Sequence, residues 1–496
     1  MISNFNANSD SETLLLKSDL TGNKPLYVYI SKNQKNLYWS NCLTELLDDP
    51  SVIKPLTVSS EAISYLLLNS VVPPPLSVFD NIFIISIGIE MSVSTTLLGN
   101  LKWTIEHKNH FSEAMRGNQK VDQEKVLNLL YESTYSQLDN NANESFIFHS
   151  AGKDSNPIAI AIAEAGKQED FTLVTYKSTA GFDESEISKK IAKQLGFKHE
   201  LLKENINFSS EYVDILKKYF VNAPFPCLDN VTLAYPGYAL QLPELMGSNI
   251  IDGMGNDVYI GHIPAEDEFI RQKLSCLLSK GKFLDNYVGS ENRLHSLTRM
   301  RAEWVGLSGF SLKDAKAIYK DTENTAGYWK TVSGISDYFD FRSFVRGRVI
   351  DTEVYMRKVR NFTDAFGGNV VFPWADDKLV RYILSLDPSE LYSKKQFKNK
   401  IFIRDMMKQK INLNSDTLGK MGFSYSLHKL IKVNFEHVYQ EIFSCPIWDK
   451  KEIKVLKAQV GSKLSVNEPS WDLLTVLFYR LFIISSWYNN CRWLKG

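Results

Sequence analysis

The chain is 496 residues long, 44% hydrophobic and 23% charged, with Lys plus Arg and Asp plus Glu equal at 57 each. That length predicts two or three domains around a large core. The balanced charge gives no global electrostatic case for nucleic acid or an anionic membrane, and no apolar run approaches the roughly 18 residues that span a bilayer. Cys42, Cys227, Cys276, Cys445 and Cys491 follow neither metal nor disulfide spacing and read as reduced thiols of a cytoplasmic protein.

In chain order, residues 1–12 are polar and are expected to form a flexible tail without a signal-peptide pattern. Leu26–Ile30 and Leu37–Ser40 predict a hairpin across Lys32-Asn33-Gln34-Lys35. A short helix, Cys42–Leu47, follows. Ser59–Asn69 predicts another, with Ser59 or Ser60 as cap and Glu61 in the first turn. Phe83–Ile87 and Met91–Thr95 read as strands around Gly88, closing a small α+β module over residues 13–110. Residues 106–122 are polar and read as a linker, and Val121–Leu138 is amphipathic and helical.

From residue 121 the rhythm becomes strand-helix-strand. Strands are expected at Phe146–Phe148, Phe171–Tyr176, His199–Leu202 and Ile250–Asp252, with helices at Pro157–Ala165, Glu184–Leu195 and Ser210–Tyr219 between them. Apolar strands alternating with helices predict a doubly wound parallel sheet, which places ligands at the carboxyl ends of its strands. From residue 262 to Gly496 the chain reads as mostly helical, ending in an apolar helix, Trp471–Trp487, expected to be buried.

Two loops at strand ends carry the chemistry. The first, Ser150-Ala151-Gly152-Lys153-Asp154-Ser155, lies between a strand and a helix opened by Pro157. Backbone N–H groups and the helix dipole there face one point, and small residues let an anion approach the backbone. The alternative is an ordinary turn capped by Asp154 or Ser155. The second, Asp252-Gly253-Met254-Gly255-Asn256-Asp257, uses two glycines to turn tightly and aim Asp257 across the strand ends. Two carboxylates near one triphosphate suit Mg²⁺, a hard ion that prefers oxygen ligands; the alternative is a glycine turn with Asp257 as a helix cap.

The order Ser-x-Gly-x-Asp-Ser resembles the pyrophosphate loop of the ATP pyrophosphatases. Asp252-Gly253-x-Gly255-x-Asp257 followed by Gly261 resembles the acidic loop of the asparagine synthetase-like family. Further segments agree in order: Asp183-Glu184 with Ala192, Leu195-Gly196 and His199; Phe372-Pro373-x-x-Asp376 with Leu379-Val380; Lys400-x-x-x-Arg404; and Lys420-Met421-Gly422-Phe423. Earlier, Gly22-x-x-Pro25-Leu26-Tyr27 and Pro74-x-x-x-Val78-Phe79 resemble the back half of the family's glutaminase-like, Ntn-type domain.

The resemblance spans residues 20–430. It implies a truncated, degenerate glutaminase-like domain at 13–110, then a synthetase domain at 121–496: a pyrophosphate-loop ATPase with a helical C-terminal part. It also implies a reaction. A small-molecule or peptide carboxylate is adenylated by ATP, and the acyl group passes to an amine or ammonia. Ser150, Ala151, Gly152, Lys153 and Ser155 would cradle the pyrophosphate, Asp154 and Asp257 would hold Mg²⁺, and Gly253 and Gly255 would shape the second loop. Thr175 and Tyr176 would face adenine, and Lys420 would stabilise developing charge. A homodimer or a pathway-partner protein fits the same family.

Departures from the family pattern narrow the reading. Ile2 stands where the family's glutaminases carry a nucleophilic cysteine, so glutamine is not the expected nitrogen source. That favours β-lactam synthetase-like or lasso cyclase-like members. Met254 replaces a glutamate and cannot take a proton. Val258 replaces the Glu after the metal-binding Asp, and Asn369-Val370-Val371 replaces a Glu-x-Arg at the acceptor site. Other candidates near the site are His149, His262, Tyr259, Glu353 and Tyr355; Arg357 and Arg360 share a helical face with Glu353. Two alternatives remain open: a pyrophosphate-loop adenylating enzyme with a different acceptor, and a non-catalytic nucleotide-binding partner.

Overall fold

The computed structural model describes residues 2–6, 13–108, 111, 116–179, 183–297, 299–332, 335, 337–418, 425–465 and 473–495; for 274–280, 296, 297, 330–332, 417 and 418 it describes the backbone alone. The chain forms two compact units. The first comprises residues 1–115, 267–354 and 491–496, and the second 116–266 and 355–490. The division expected from the sequence, 13–110 and 121–496, assigned 267–354 and 491–496 to the later part. Within the first unit these stretches are tied to the early chain by polar contacts: Asn69 donates to the Leu307 carbonyl at 3.1 Å, Trp329 Nε1 donates to Asn69 Oδ1 at 3.0 Å, and Trp493 Nε1 donates to Asp48 Oδ1 at 2.8 Å.

The first unit holds two antiparallel sheets. One has strands β1 (Ser3–Asn6), β3 (Leu26–Ile30), β4 (Asn36–Ser40) and β5 (Ile82–Ile85); the other has β2 (Leu14–Lys17), β6 (Ile89–Thr95) and β7 (Leu101–His107). Strands of both contribute Leu16, Val28, Leu37, Ile85, Met91 and Val93 to one apolar core. Residues 3–6, expected in a tail, form an edge strand instead, pairing antiparallel with β4. Backbone hydrogen bonding, which composition does not report, recruits them. β7 likewise runs into the expected linker. It alternates Leu101, Trp103 and Ile105 with Lys102, Thr104 and Glu106 and pairs along its length with β6. The helix at 60–69 is capped as expected, the Ser59 side chain accepting from the Ala62 N–H.

The second unit is mixed α/β around a five-stranded parallel sheet. Its strands are β8 (Ser145–Phe148), β9 (Thr172–Lys177), β10 (Lys198–Lys203), β11 (Asn249–Ile251) and β12 (Asn369–Val371), in the spatial order β10-β9-β8-β11-β12. The first four are the expected ones; β12 is additional, three residues paired in register with β11. Phe146, Ile147, Leu173, Val174, Ile250 and Ile251 are all buried, as a sheet covered on both faces requires. The helices Gln123–Ser136, Asn156–Glu164, Ser185–Leu195 and Ser210–Asn222 lie where the periodicity placed them. The closing helix, Leu473–Asn490, is buried along most of its length. Among the described residues no helix is long and apolar enough to cross a membrane.

Strand order decides where a ligand can sit. From β8 the chain winds outward through β9 and β10, then returns to place β11 on the other side of β8. The order therefore reverses between β8 and β11. At such a switch point the loops leaving two adjacent strands diverge and leave a crevice beyond their carboxyl ends.

Candidate functional site at the switch point

The loop after β8 is built by its own side chains. Ser150 Oγ accepts from the Gly152 N–H at 3.0 Å, and Ser155 Oγ accepts from the Ser150 N–H at 3.2 Å. Asn156, fully buried, donates to the carbonyls of Ser150 at 3.0 Å and Gly152 at 2.6 Å. The Ala151 N–H donates to Glu184 Oε2 at 2.8 Å. Burial pushes the Glu184 carboxyl up, opposed by this N–H and by Lys153. The backbone N–H groups of Lys153, Asp154 and Ser155 make no hydrogen bond among the described residues. They precede the helix Asn156–Glu164, with Pro157 in its first turn. Ala151 lies outside the left-handed region.

The loop after β11 packs directly on the first. A Cβ on Gly253 would lie 2.7 Å from the Asp154 carbonyl carbon and 2.8 Å from the Ser155 nitrogen, so only glycine fits. Gly255 has φ +100°, and a Cβ there would also press on Ala375. The turn brings Asn256 Nδ2 to 2.7 Å from Asp154 Oδ1 and starts the short helix Asp257–Ile260 with Asp257. The Asp154 carbonyl accepts from Trp374 Nε1 at 2.8 Å. Trp374 is completely buried in the turn after β12.

Lys400 joins the two loops. It precedes the helix Ile401–Ile411 in the left-handed conformation, φ 55°, and its side chain is 3% exposed. Its ammonium lies 2.8 Å from Asp257 Oδ1 and is also paired with Asp154 Oδ1. Burial opposes the charge on Lys400, but the two carboxylates outweigh it and hold its pKa above the usual lysine value. Lys153 responds the other way: burial, with Arg404 and Lys400 adding, pushes its ammonium down.

A cavity of about 310 Å³ opens beside these loops. Ser150, Gly152, Asp154 and Ser155 bound it on one side, and Asp252, Gly253 and Met254 on another. Thr175 and Tyr176, at the end of β9, form a third wall with Tyr235 and Tyr238. The Phe148 ring meets Tyr235 and Tyr238 edge-on, at 5.6 and 5.9 Å between centroids.

The sequence-selected residues divide accordingly. Ser150, Gly152, Asp154, Ser155, Thr175, Tyr176 and Gly253 share one cavity. Asp257 reaches the same place through Lys400. Ala151 and Gly255 shape the loops. His149 is a buried structural group: Nδ1 is 2.6 Å from Ser188 Oγ and Nε2 3.2 Å from Asn156 Oδ1, and burial pushes its pKa down to about 4. Thr175 donates to the His149 carbonyl at 3.0 Å. Tyr259 is buried, donating to the Trp374 carbonyl at 2.7 Å. Arg357 and Arg360 are buried against Phe225 and Phe372, and Glu353 belongs to the first unit. Lys420 lies outside the described residues, as do Met421, Gly422 and Phe423.

No protein-family model matches the chain, and no curated protein matches it.

Three buried charged side chains beside the loops carry no role in the sequence reading. Lys400 opened a recognised segment, Lys400-x-x-x-Arg404, yet nothing local marks its partners. Lys358 lines the cavity, buried, its ammonium 2.6 Å from Asp229 Oδ2. Burial opposes the Lys358 charge, but Asp229 outweighs it, and its pKa lies above the usual value. Asp252 is 7% exposed; burial pushes its carboxyl up to about 6, against the charge of Lys358 and the Met254 N–H. Among the described residues no group of three or more His, Cys, Asp or Glu could hold a metal by itself.

Proposed function

We propose that the chain is an ATP-dependent amide-forming ligase. A substrate carboxylate attacks the α-phosphate of ATP, pyrophosphate leaves, and an amine or ammonia takes the acyl group from AMP. The observation that carries this reading is the convergence of Asp154 and Asp257, from loops after neighbouring central strands, beside the small-residue loop 150–155. Anions bind where N–H groups and a helix N-terminus face a crevice, and here the N–H groups of Lys153, Asp154 and Ser155 are available.

The donor set fits Mg²⁺. Phosphate-bound Mg²⁺ takes one or two protein carboxylates and completes its shell with phosphate oxygens and water, and Asp154 and Asp257 are two carboxylates converging on one cation. Bound there, the metal would neutralise charge on the departing pyrophosphate. Lys400 supplies a second positive charge at the same point, fixed by burial before any ligand arrives. Thr175 and Tyr176, beside the ring of Tyr238, bound a wall suited to a flat base. Lys420 is assigned to charge stabilisation on the resemblance alone.

Asp154→Ala and Asp257→Ala are each expected to abolish carboxylate-dependent pyrophosphate release while leaving the circular dichroism spectrum unchanged. Turnover at the wild-type rate in either variant would remove the metal assignment. A thiol acceptor is disfavoured by Cys227, which is buried with its pKa pushed up to about 11 and offers no thiolate. One observation favours a second reading, nucleotide binding without catalysis. The Lys400 ammonium already pairs with both carboxylates. ATP binding with no pyrophosphate exchange for any carboxylate would select it.

A further inference from the structure

We propose that Asp252 is the base of the second half-reaction, taking the proton that the attacking amine must lose. The proposal rests on the ligase reading above and concerns the step after adenylation. The amine nitrogen bonds to the acyl carbon, the carbon–oxygen bond to AMP breaks, and AMP leaves with the electron pair. The surplus proton on nitrogen goes to Asp252 Oδ2.

The cavity itself singles out this carboxylate. Its titratable lining groups are His149, Asp154, Tyr176, Glu184, Tyr235, Tyr238, Asp252 and Lys358. Both ring nitrogens of His149 are engaged, by Ser188 and Asn156. Asp154 is paired with Lys400 and accepts from Asn256. Glu184 is held by the Ala151 N–H. Burial keeps Tyr176, Tyr235 and Tyr238 protonated, and Lys358 is a cation bound to Asp229. Asp252 differs from all of these. Its Oδ1 accepts from the Met254 N–H at 3.0 Å, which fixes the carboxyl plane, and its Oδ2 accepts no hydrogen bond among the described residues.

Its position suits the step. Asp252 directly follows β11 and precedes Gly253, whose backbone lies against Asp154 and Ser155. Asp252 thus lines the same cavity as Ser150, Gly152, Asp154 and Ser155 of the first loop. The charged and titratable groups that act on Asp252 are Lys358, Asp154 and Tyr235. Lys358 favours the ionised base, Asp154 disfavours it, and Tyr235 stays neutral. Burial raises its proton affinity to about 6, close to the range where a general base works best at neutral pH.

The test separates the two half-reactions with Asp252→Asn. Pyrophosphate–ATP exchange, run with the carboxylate that supports it in wild type, should stay within about threefold. Amide formation with ammonia should fall by about 10²–10⁴-fold, the usual range for losing a general base. Hydroxylamine, a nucleophile needing little deprotonation near neutral pH, should still give hydroxamate within about tenfold of wild type. The acid limb of the amide-forming pH profile should be lost in the variant, and Asp252→Glu should restore part of the ammonia rate. An equal fall in hydroxamate and amide, or loss of exchange with loss of amide, would overturn the proposal, since either outcome makes Asp252 structural. Absence of exchange in wild type with every carboxylate would instead overturn the ligase reading beneath it.

Discussion

The Lys400 ammonium lies 2.8 Å from the Asp257 carboxylate, on a side chain 3% exposed, and pairs with Asp154 through the same nitrogen. A buried cation is therefore held between two carboxylates that are themselves 42% and 37% exposed. One cation against two carboxylates leaves a net negative charge beside the loop 150–155.

Removing the Lys400 charge should leave two like charges side by side. Lys400→Ala is expected to lose about 1–3 kcal/mol of stability, less than a fully buried pair would cost because both carboxylates reach water. It should also turn the pair into a better cation site. In thermal unfolding, millimolar Mg²⁺ should raise the melting temperature of Lys400→Ala more than that of wild type. Equal Mg²⁺ responses would mean that the two carboxylates do not act on a common cation.

The contact between the loops predicts a sharp dependence on one glycine. Gly253→Ala places a methyl group 2.7 Å from backbone carbon of Asp154, where no flexible side chain can yield. It should cost about 2–4 kcal/mol and weaken ATP binding, because the loop 150–155 must move. Gly327→Ala, whose Cβ would meet nothing within 4 Å, should change stability by less than about 0.5 kcal/mol. Comparable urea midpoints for the two variants would contradict the packing described.

Legibility followed burial. The strands β8 to β11 were readable because a sheet covered on both faces needs continuous apolar runs, as in Phe146-Ile147-Phe148. β12 is three residues long, Asn369-Val370-Val371, and two of them are half-buried, so no run marks it. Ser150, Asp154 and Asp257 stood out by their order and spacing in two loops at strand ends, although helix capping also places such residues there. Lys400 and Lys358 did not, since a lysine is ordinarily solvated. What singles them out is burial against Asp154, Asp257 and Asp229, contacts made only once the fold closes. The joining of 267–354 and 491–496 to the first unit depends on contacts such as Asn69 with Leu307, which leave no local mark.

Two buried groups should shape the pH dependence of stability in opposite directions. His149 is pushed down to about 4, so below its unfolded value near 6.5 the native state resists protonation. Stability tied to its neutral form is full above about pH 6.5 and is lost as pH falls towards 4, by roughly 3 kcal/mol. Asp252 is pushed up to about 6, so the native state favours its protonated form. Its contribution is full below about pH 4 and is lost as pH rises through 6, by about 2–3 kcal/mol. The two slopes offset each other in wild type. Urea unfolding of Asp252→Asn from pH 4 to pH 7.5 should show a steeper gain in stability with pH than wild type, and His149→Gln a shallower one. Parallel curves for all three proteins would contradict both assignments.

We propose that the switch-point crevice adenylates a carboxylate. This is tested most directly by pyrophosphate–ATP exchange with Mg²⁺ across amino acids, uronic acids and short acidic peptides. The expected result is exchange that depends on one carboxylate and is lost in Asp154→Ala and Asp257→Ala. Exchange with none of them, in a protein that binds ATP, would contradict the claim and leave a nucleotide-binding chain without the chemistry.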